Sequence, residues 1–209
     1  MKYFLDCGAH RGESILKAKR LYPGAYIHSF EPLEYFCKNL EKIHKDDDTV
    51  QINNYAVWIE DCVQKFYISE TVTCGSSLHK VNANYFKGEE LYCVDAQCID
   101  LSQWIINNFD KEDYIILKLD TEGSEYDILS KMIEDGSIEY VNELLGEWHQ
   151  VHDYRKDMLD KINEYLLSVR LPLIDWEENV PGEPQSGMSD LPTDFNLNSV
   201  TESQLCENS

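Results

Sequence analysis

The chain has few basic residues for its length. Its 209 residues include 18 Lys and Arg against 39 Asp and Glu, which gives a formal net charge of −21. Such an excess of negative charge repels nucleic-acid phosphates and anionic lipid headgroups. We therefore expect neither nucleic acid nor a membrane surface as a partner. The basic residues Lys17, Lys19 and Arg20 are interpreted as the solvated face of one helix.

Three other features are missing. No two of the seven cysteines form a C-x-x-C motif, which argues against a zinc or thioredoxin-like redox site. The first strand reaches an acid at Asp6, too early for the apolar core of a signal peptide. No apolar run approaches the length that spans a membrane. A reduced, cytoplasmic environment fits these features best.

Strand and helix patterns alternate along the chain. The patterns predict strands over 2–6, 25–30, 50–58, 63–68, 91–99, 114–119 and 141–148, and helices over 13–21, 32–44, 100–109, 124–134 and 154–169. This alternation predicts an α/β fold with a doubly wound, mostly parallel sheet. The nearly continuous apolar strand 114–119 indicates burial on both faces. Lys118 interrupts it and is expected to reach the sheet edge or a carboxylate.

The length fits one domain with a sizeable core, which we place at residues 1–176. Residues 175–209 contain eight acids, no Lys or Arg and few apolar side chains. Such a composition cannot bury enough apolar surface to fold. We therefore predict that residues 177–209 form an acidic, disordered tail.

A glycine-containing loop follows the first predicted strand. It contains Asp6, Gly8 and Gly12 and opens a helix near Glu13, whose first N–H groups lack helical partners. His10 replaces the second glycine of the dinucleotide fingerprint G-x-G-x-x-G, and an acid at the strand end repels phosphate. A cofactor with an amine, a positive centre and no phosphate fits better. These properties point to S-adenosylmethionine (SAM) and methyl transfer, with a βα turn that binds no ligand as the alternative.

Glu31 ends the second predicted strand, 25 residues beyond Asp6. This is close to the spacing at which an acid binds ribose hydroxyls in nucleotide-binding folds. A carboxylate can accept hydrogen bonds from both hydroxyls of a cis-diol. The alternative is an acid favoured by the dipole of the following helix.

The third and fourth strand ends carry candidate catalytic residues. Asp120 and Glu122 follow the strand 114–119, where they could hold a substrate hydroxyl, act as a general base or bind a divalent ion. His149 follows the next strand and has a suitable pKa for proton abstraction. We rank Asp120 first, His149 second and a metal third, and expect no metal. The alternative is a solvated turn, in which Ser124 and Asp127 would resemble a capping box.

Together these segments resemble the FkbM-type SAM-dependent methyltransferases. The likeness spans about residues 3 to 149 and rests on the order and spacing of four blocks, D-C-G-A-H-R-G at 6–12, F-E-P at 30–32, N-Y-A-V at 54–57 and L-K-L-D-T-E-G-S-E at 117–125. It implies a Rossmann-like class I methyltransferase fold and SAM as the methyl donor. It also implies a hydroxyl acceptor, often on a sugar or secondary metabolite. The chain departs from the family at its carboxyl terminus, where only residues 171–176 resemble one of the usual last two strands, so we expect a sheet that lacks its last strand or strands.

The resemblance also implies roles for individual residues. Asp6, Gly8, Ala9 and Gly12 would shape the cofactor loop, Glu31 would bind the ribose, Asn54 and Ala56 would lie near the adenine edge, and Asp120 would face the methionine end or the acceptor. Acceptor specificity is expected from residues 69–91 and from the carboxyl terminus.

The favoured function is O-methylation of a sugar, glycan or small metabolite, with Asp120, Glu122 or His149 taking the proton. One alternative is a catalytically inactive methyltransferase-like binding or interaction module. A nucleotide-sugar or dinucleotide enzyme is a weaker one. The sequence makes no prediction of oligomeric state.

Overall fold

The structure is a computed structural model that describes residues 1–69, 75–80, 91–149 and 156–176. In these ranges the strands are β1 Lys2–Cys7, β2 Tyr26–Phe30, β3 Val50–Asn53, β4 Ala56–Trp58, β5 Cys62–Ser69, β6 Leu91–Asp100, β7 Tyr114–Leu119, β8 Val141–Gly146 and β9 Leu173–Asp175. The α-helices there are α1 Glu13–Leu21, α2 Glu34–Ile43, α3 Leu101–Asn108, α4 Glu125–Glu134 and α5 Lys156–Ser168, and a 3-10 helix spans Ser137–Tyr140. The predicted tail and most of the segment expected to set specificity lie outside the described residues.

Six strands form a central sheet in the order β3-β2-β1-β7-β8-β9. Every neighbouring pair in it is parallel. The α/β fold with a doubly wound, mostly parallel sheet is therefore confirmed. From the centre, the chain adds strands outward through β2 and β3 in one direction and through β8 and β9 in the other. The topological switch point thus lies between β1 and β7, where such sheets bind ligands beyond their carboxyl ends.

Helices cover both faces of this sheet because successive strand residues point to opposite sides. Phe4 packs with Ile15 and Leu40 of α1 and α2. Its neighbour Leu5 packs with Ile105 of α3 and Leu129 of α4 on the other face. All side chains of β7 beyond its first residue are buried, as the apolar run predicts.

The predicted strand 50–58 is wrong in one respect, because it is two strands in two sheets. β3 joins the central sheet, whereas β4 pairs with β6 in a second sheet of order β4-β6-β5. Between them Tyr55 N donates to Asn53 O at 2.9 Å, and Asn54 Nδ2 donates to Glu31 O at 2.9 Å. These hydrogen bonds turn the chain away from the central sheet. The strand pattern of residues 50–58 does not by itself reveal such a turn.

Lys17 corrects the interpretation of α1 as carrying only solvated basic residues. Its side chain is buried, and its Nζ donates to Trp176 O at 2.6 Å. The same ammonium lies 4.4 Å from the centroid of the Trp176 indole. Lys17 therefore fixes the end of β9 against the helix that follows the glycine loop. No helix in the described ranges is long and apolar enough to cross a membrane.

Candidate active site

Asp6 lies at the end of β1 and is fully buried. The hydroxyls of Ser14 and Ser29 donate to its Oδ2 at 2.7 and 2.9 Å. Its Oδ1 lies 3.3 Å from Lys118 Nζ. Because the carboxylate has no exposed surface, it holds the loop from the inside and does not itself face the crevice. The part of Asp6 in shaping the cofactor loop stays a prediction, and its buried position places that part on the inner side of the loop.

The glycine loop packs tightly against the neighbouring strand ends. Gly8 has φ +90°, and a Cβ on it would lie 2.0 Å from the Asp120 carbonyl oxygen. The N–H groups of Gly8 and Ala9 both donate to Phe30 O, at 3.1 and 3.0 Å. Gly12 has φ +93°, and its Cβ would lie 2.5 Å from Leu40 Cδ2. The loop thus needs glycine because backbone and core side chains occupy the space of a side chain.

Glu31 connects the end of β2 to the glycine loop. It is 5% exposed, and its two carboxylate oxygens accept hydrogen bonds from His10 N at 2.9 Å and Leu33 N at 2.8 Å. Burial raises the pKa of Glu31 to about 7, although both backbone hydrogen bonds act in the opposite direction. Glu31 therefore lies beside the loop, as the sequence predicts, and its carboxylate joins the backbone of the loop to the backbone at the start of α2.

Asn54 and Ala56 lie next to Glu31. Asn54 Nδ2 donates to the carbonyl oxygens of Glu31 and Pro32, at 2.9 and 3.0 Å. Ala56 is buried in a small core with Phe36 of α2. Both residues lie on the β2 side of the crevice, so their proposed position near an adenine ring stays a prediction.

Lys118 joins the glycine loop to the candidate catalytic residues. Its ammonium is buried, donates to Gly8 O at 2.9 Å and lies 3.0 Å from Asp120 Oδ2. The expectation that this lysine reaches a carboxylate is confirmed, and it reaches two, because Asp6 is its other partner. The contact of Lys118 with the glycine loop has no signal in the sequence pattern.

The three candidate catalytic residues lie together at the ends of β7 and β8. His149 Nε2 is 3.9 Å from Asp120 Oδ1, 3.4 Å from Glu122 Oε2 and 3.8 Å from Glu147 Oε2. Gly146 allows this approach, because any Cβ there would lie 2.5 Å from Leu119 O. Asp120, Glu122 and His149 each offer a ligand atom within 4.8 Å of the others, so the group could hold a divalent cation.

The electrostatics of this group separate the roles of Glu122 and His149. Burial lowers the pKa of His149, but the Glu125 hydrogen bond and the charges of Glu125, Glu122 and Asp120 outweigh it and raise this pKa to about 9. Burial also raises the pKa of Glu122 to about 7, against the attraction of His149. At neutral pH His149 is therefore protonated, whereas Glu122 is close to half protonated.

Glu125 is the residue of the site that sequence reasoning missed. Its buried carboxylate accepts hydrogen bonds from Thr121 N at 2.7 Å and Gly123 N at 2.9 Å, and its Oε1 lies 3.1 Å from His149 Nδ1. The capping box expected from Ser124 and Asp127 is wrong, because Ser124 makes no side-chain cap hydrogen bond. One feature of the sequence could have indicated a role for Glu125. It is the last acid of the block 117–125, where it follows the turn residues Gly123 and Ser124 and begins a helix.

The turn held by Glu125 has unusual backbone geometry. Glu122 has φ +54° and Gly123 has φ +108°. A non-glycine residue rarely adopts positive φ without support from its surroundings. Ser77 Oγ adds such support by donating to Glu122 O at 2.7 Å. Ser77 is bridged to Tyr67 of β5, so this hydrogen bond connects the second sheet to the turn through the segment 75–80.

Comparison with known proteins identifies the family. The sequence profile of the methyltransferase FkbM domain matches residues 6–171. The chain belongs to the FkbM methyltransferase family. The matched range includes every candidate residue of the site, which supports methyl transfer as the chemistry of this FkbM domain.

A solved structure gives one further comparison. The methyltransferase FkbM from Methylobacillus flagellatus KT is similar to 66% of this chain, with 16% sequence identity and a TM-score of 0.38. The match covers 31% of the length of that structure. None of the curated proteins compared with the chain matches it.

Proposed function

We propose that this FkbM-family protein uses SAM to methylate a hydroxyl group of a sugar, glycan or small metabolite. The observation that carries the proposal is the group of Asp120, Glu122 and His149 beside the glycine loop. The group lies at the carboxyl ends of β7 and β8, next to the topological switch point. A reactive end of a ligand bound at this point would meet these side chains.

The residues beside the loop fit SAM by their chemistry. Glu31, Asp120 and Glu122 are acidic, and the buried Lys118 is already engaged by two carboxylates. Such a lining favours a cation and disfavours a phosphate. When bound, SAM supplies an electrophilic methyl group on a positively charged sulfonium. A carboxylate has about four acceptor sites, so Glu31 retains about two for ribose hydroxyls after its two backbone hydrogen bonds.

On the acceptor side, Asp120 orients and Glu122 takes the proton. Lys118 holds Asp120 Oδ2 and leaves Oδ1 on the side of His149, where it can accept a hydrogen bond from a neighbouring hydroxyl or N–H group of the acceptor, so that the reacting hydroxyl donates its own proton to Glu122. A general base works best when its pKa is near the operating pH, and the pKa of Glu122 is about 7. Protonated His149 stabilises the negative charge that forms. Methyl transfer otherwise depends on alignment of donor and acceptor.

Calorimetry tests the cofactor. We expect SAM and its demethylated product to bind and NAD not to bind. SAM binding together with failure to methylate any acceptor would favour the inactive binding module, and binding of NAD alone would favour a dinucleotide enzyme. A screen of metabolites and glycans with methyl-labelled SAM then identifies the acceptor.

Three substitutions test the assignment of roles once the acceptor is known. Asp120→Asn should reduce turnover most, because it removes the charge that orients the acceptor beside the methyl group. Glu122→Gln should lower turnover by about 10²–10⁴-fold, the usual contribution of a general base. Glu139→Gln, which removes an exposed acid paired with Lys111, is the control. Full activity of Asp120→Asn would remove Asp120 from the site.

A further inference from the structure

We propose that Glu125 is a positioning residue for methyl transfer, which holds His149 by Nδ1 so that Nε2 faces Asp120 and Glu122. The inference rests on the proposed function, since it concerns the same site. It assigns a task to a residue that would not touch cofactor or acceptor. Its evidence is geometric and lies in the first turn of α4.

Glu125 is built into the protein at both of its oxygens. Its side chain is 2% exposed. Oε2 accepts a hydrogen bond from Gly123 N at 2.9 Å. Oε1 accepts one from Thr121 N at 2.7 Å, lies 3.2 Å from Thr121 Oγ1 and faces His149 Nδ1 at 3.1 Å. The carboxylate thus fixes the turn that carries Glu122 and the imidazole that follows β8.

A hydrogen bond at one imidazole nitrogen decides what the other nitrogen does. With Nδ1–H donated to Glu125, the ring can neither flip nor rotate without leaving a buried carboxylate short of a partner, which is costly. Nε2 then points toward three carboxylate oxygens at 3.4 to 3.9 Å. These separations exceed a normal N–H···O hydrogen bond. Nε2 is therefore directed at the space where the acceptor oxygen would be held.

The charged groups facing His149 come from three segments. Asp120 and Glu122 lie after β7, Glu147 lies after β8, and Glu125 begins α4. Glu125 differs from the others because it is the buried one and the one at hydrogen-bonding distance. Removing its acceptor oxygens should release the ring, whereas removing a neighbouring acid of α4 should not.

Nuclear magnetic resonance of protein labelled with ¹⁵N-histidine tests the proposal without an acceptor. His149→Gln identifies the His149 signals by their loss. In the wild type at pH 7 we expect a protonated Nδ1 with a hydrogen-bonded proton resonance. Glu125→Met, which keeps the length of the side chain and removes both acceptor oxygens, should lose that resonance. Asp127→Asn, which removes another acid from the first turn of α4, should keep it.

A double-mutant cycle adds the kinetic test with the acceptor found by the screen. Glu125→Met should reduce turnover on the order of tenfold or more, change the KM for SAM less than about twofold, and have a smaller effect in the His149→Gln background. Independent, multiplicative effects of the two substitutions would overturn the proposal. So would an unchanged Nδ1 resonance in Glu125→Met. If Glu125→Met does not fold, an unprotonated Nδ1 in the wild type is sufficient to refute it.

The outcomes separate this proposal from the proposed function. Failure to bind SAM in calorimetry refutes SAM dependence and leaves the Nδ1 measurement unaffected. Loss of the Nδ1 contact together with retained SAM binding refutes the role of Glu125 alone.

Discussion

Lys118 Nζ lies 3.0 Å from Asp120 Oδ2, and this buried ion pair connects the two halves of the candidate active site. The same ammonium donates to Gly8 O at 2.9 Å. Burial alone lowers the pKa of Lys118, but the charges of Asp120 and Asp6 outweigh it and raise this pKa. One cation therefore fixes the glycine loop relative to the chain segment after β7 that carries Asp120 and Glu122.

Replacing Lys118 by Met should destabilise the protein strongly. Breaking a buried pair by removing one partner costs about 3–5 kcal/mol, because it leaves an uncompensated charge. Here the stranded group is Asp6, which is fully buried. Urea denaturation should show this loss. Lys38→Met removes an exposed pair with Glu34 and should change the free energy of unfolding by less than about 1 kcal/mol. Similar losses in the two variants would contradict the structural role of Lys118.

Gly8→Val should impair folding as well as cofactor binding. A valine here would do more than fill the space of the methionine moiety. Its Cβ would already lie 2.0 Å from the Asp120 carbonyl oxygen, so the backbone itself would have to move. Gly24→Ala is the matched control, since Gly24 has φ +82° and nothing lies within 4 Å of its Cβ position. That control should cost only the left-handed strain of about 1–2 kcal/mol. A Gly8→Val protein with wild-type melting temperature would contradict the tight packing.

Glu31→Ala should weaken SAM binding on the order of tenfold to a hundredfold, since hydrogen bonds to a charged group contribute about 1.5–3 kcal/mol. It should also lower thermal stability, because His10 N and Leu33 N lose their acceptor. Calorimetry and thermal unfolding measure the two effects separately. Glu34→Ala removes an exposed acid at the start of α2 and should change neither SAM affinity nor thermal stability. Unchanged SAM affinity in Glu31→Ala would remove Glu31 from the ribose role.

His149 should stabilise the folded protein at low pH more than at high pH. Its folded pKa of about 9 is above the ordinary value of 6.5, so its contribution is fully present below pH 6.5 and disappears as pH rises through 9. The shift corresponds to about 3 kcal/mol. The difference in unfolding free energy between wild type and His149→Gln should therefore shrink between pH 6 and pH 9.5. A pH-independent difference would show that the pKa of His149 is the same in the folded and unfolded states.

Chelation should leave methyl transfer unchanged. Asp120, Glu122 and His149 could hold a divalent cation, but protonated His149 already supplies positive charge among these carboxylates. Activity with the identified acceptor should survive EDTA and gain nothing from added Mg²⁺. Inactivation by EDTA with recovery on adding Mg²⁺ would instead establish a metal site, since carboxylates are the ligands that Mg²⁺ prefers.

The sequence by itself determined which residues lie at the carboxyl edge of the central sheet. Apolar runs alternating with helices require parallel strands, and parallel strands place their carboxyl ends at one edge. Asp6, Glu31, Asp120 and His149 each follow such a run, so their common location was predictable before any coordinates. The contact of Lys118 with a carboxylate was also predictable, because a lysine in a strand that is buried on both faces needs a partner of opposite charge.

Tertiary structure decided which atoms of these residues meet. The Asp6 carboxylate accepts hydrogen bonds from two buried serines, and residues 50–58 belong to two different sheets. A local sequence pattern does not specify which neighbour a side chain or a strand contacts. The contact of Glu125 with His149 joins residues 24 positions apart. It depends on the approach of β8 to β7 at Gly146 and on a left-handed turn at Glu122. Both are products of packing over long sequence separation, which is why the orientation of His149 could be read only from the folded protein.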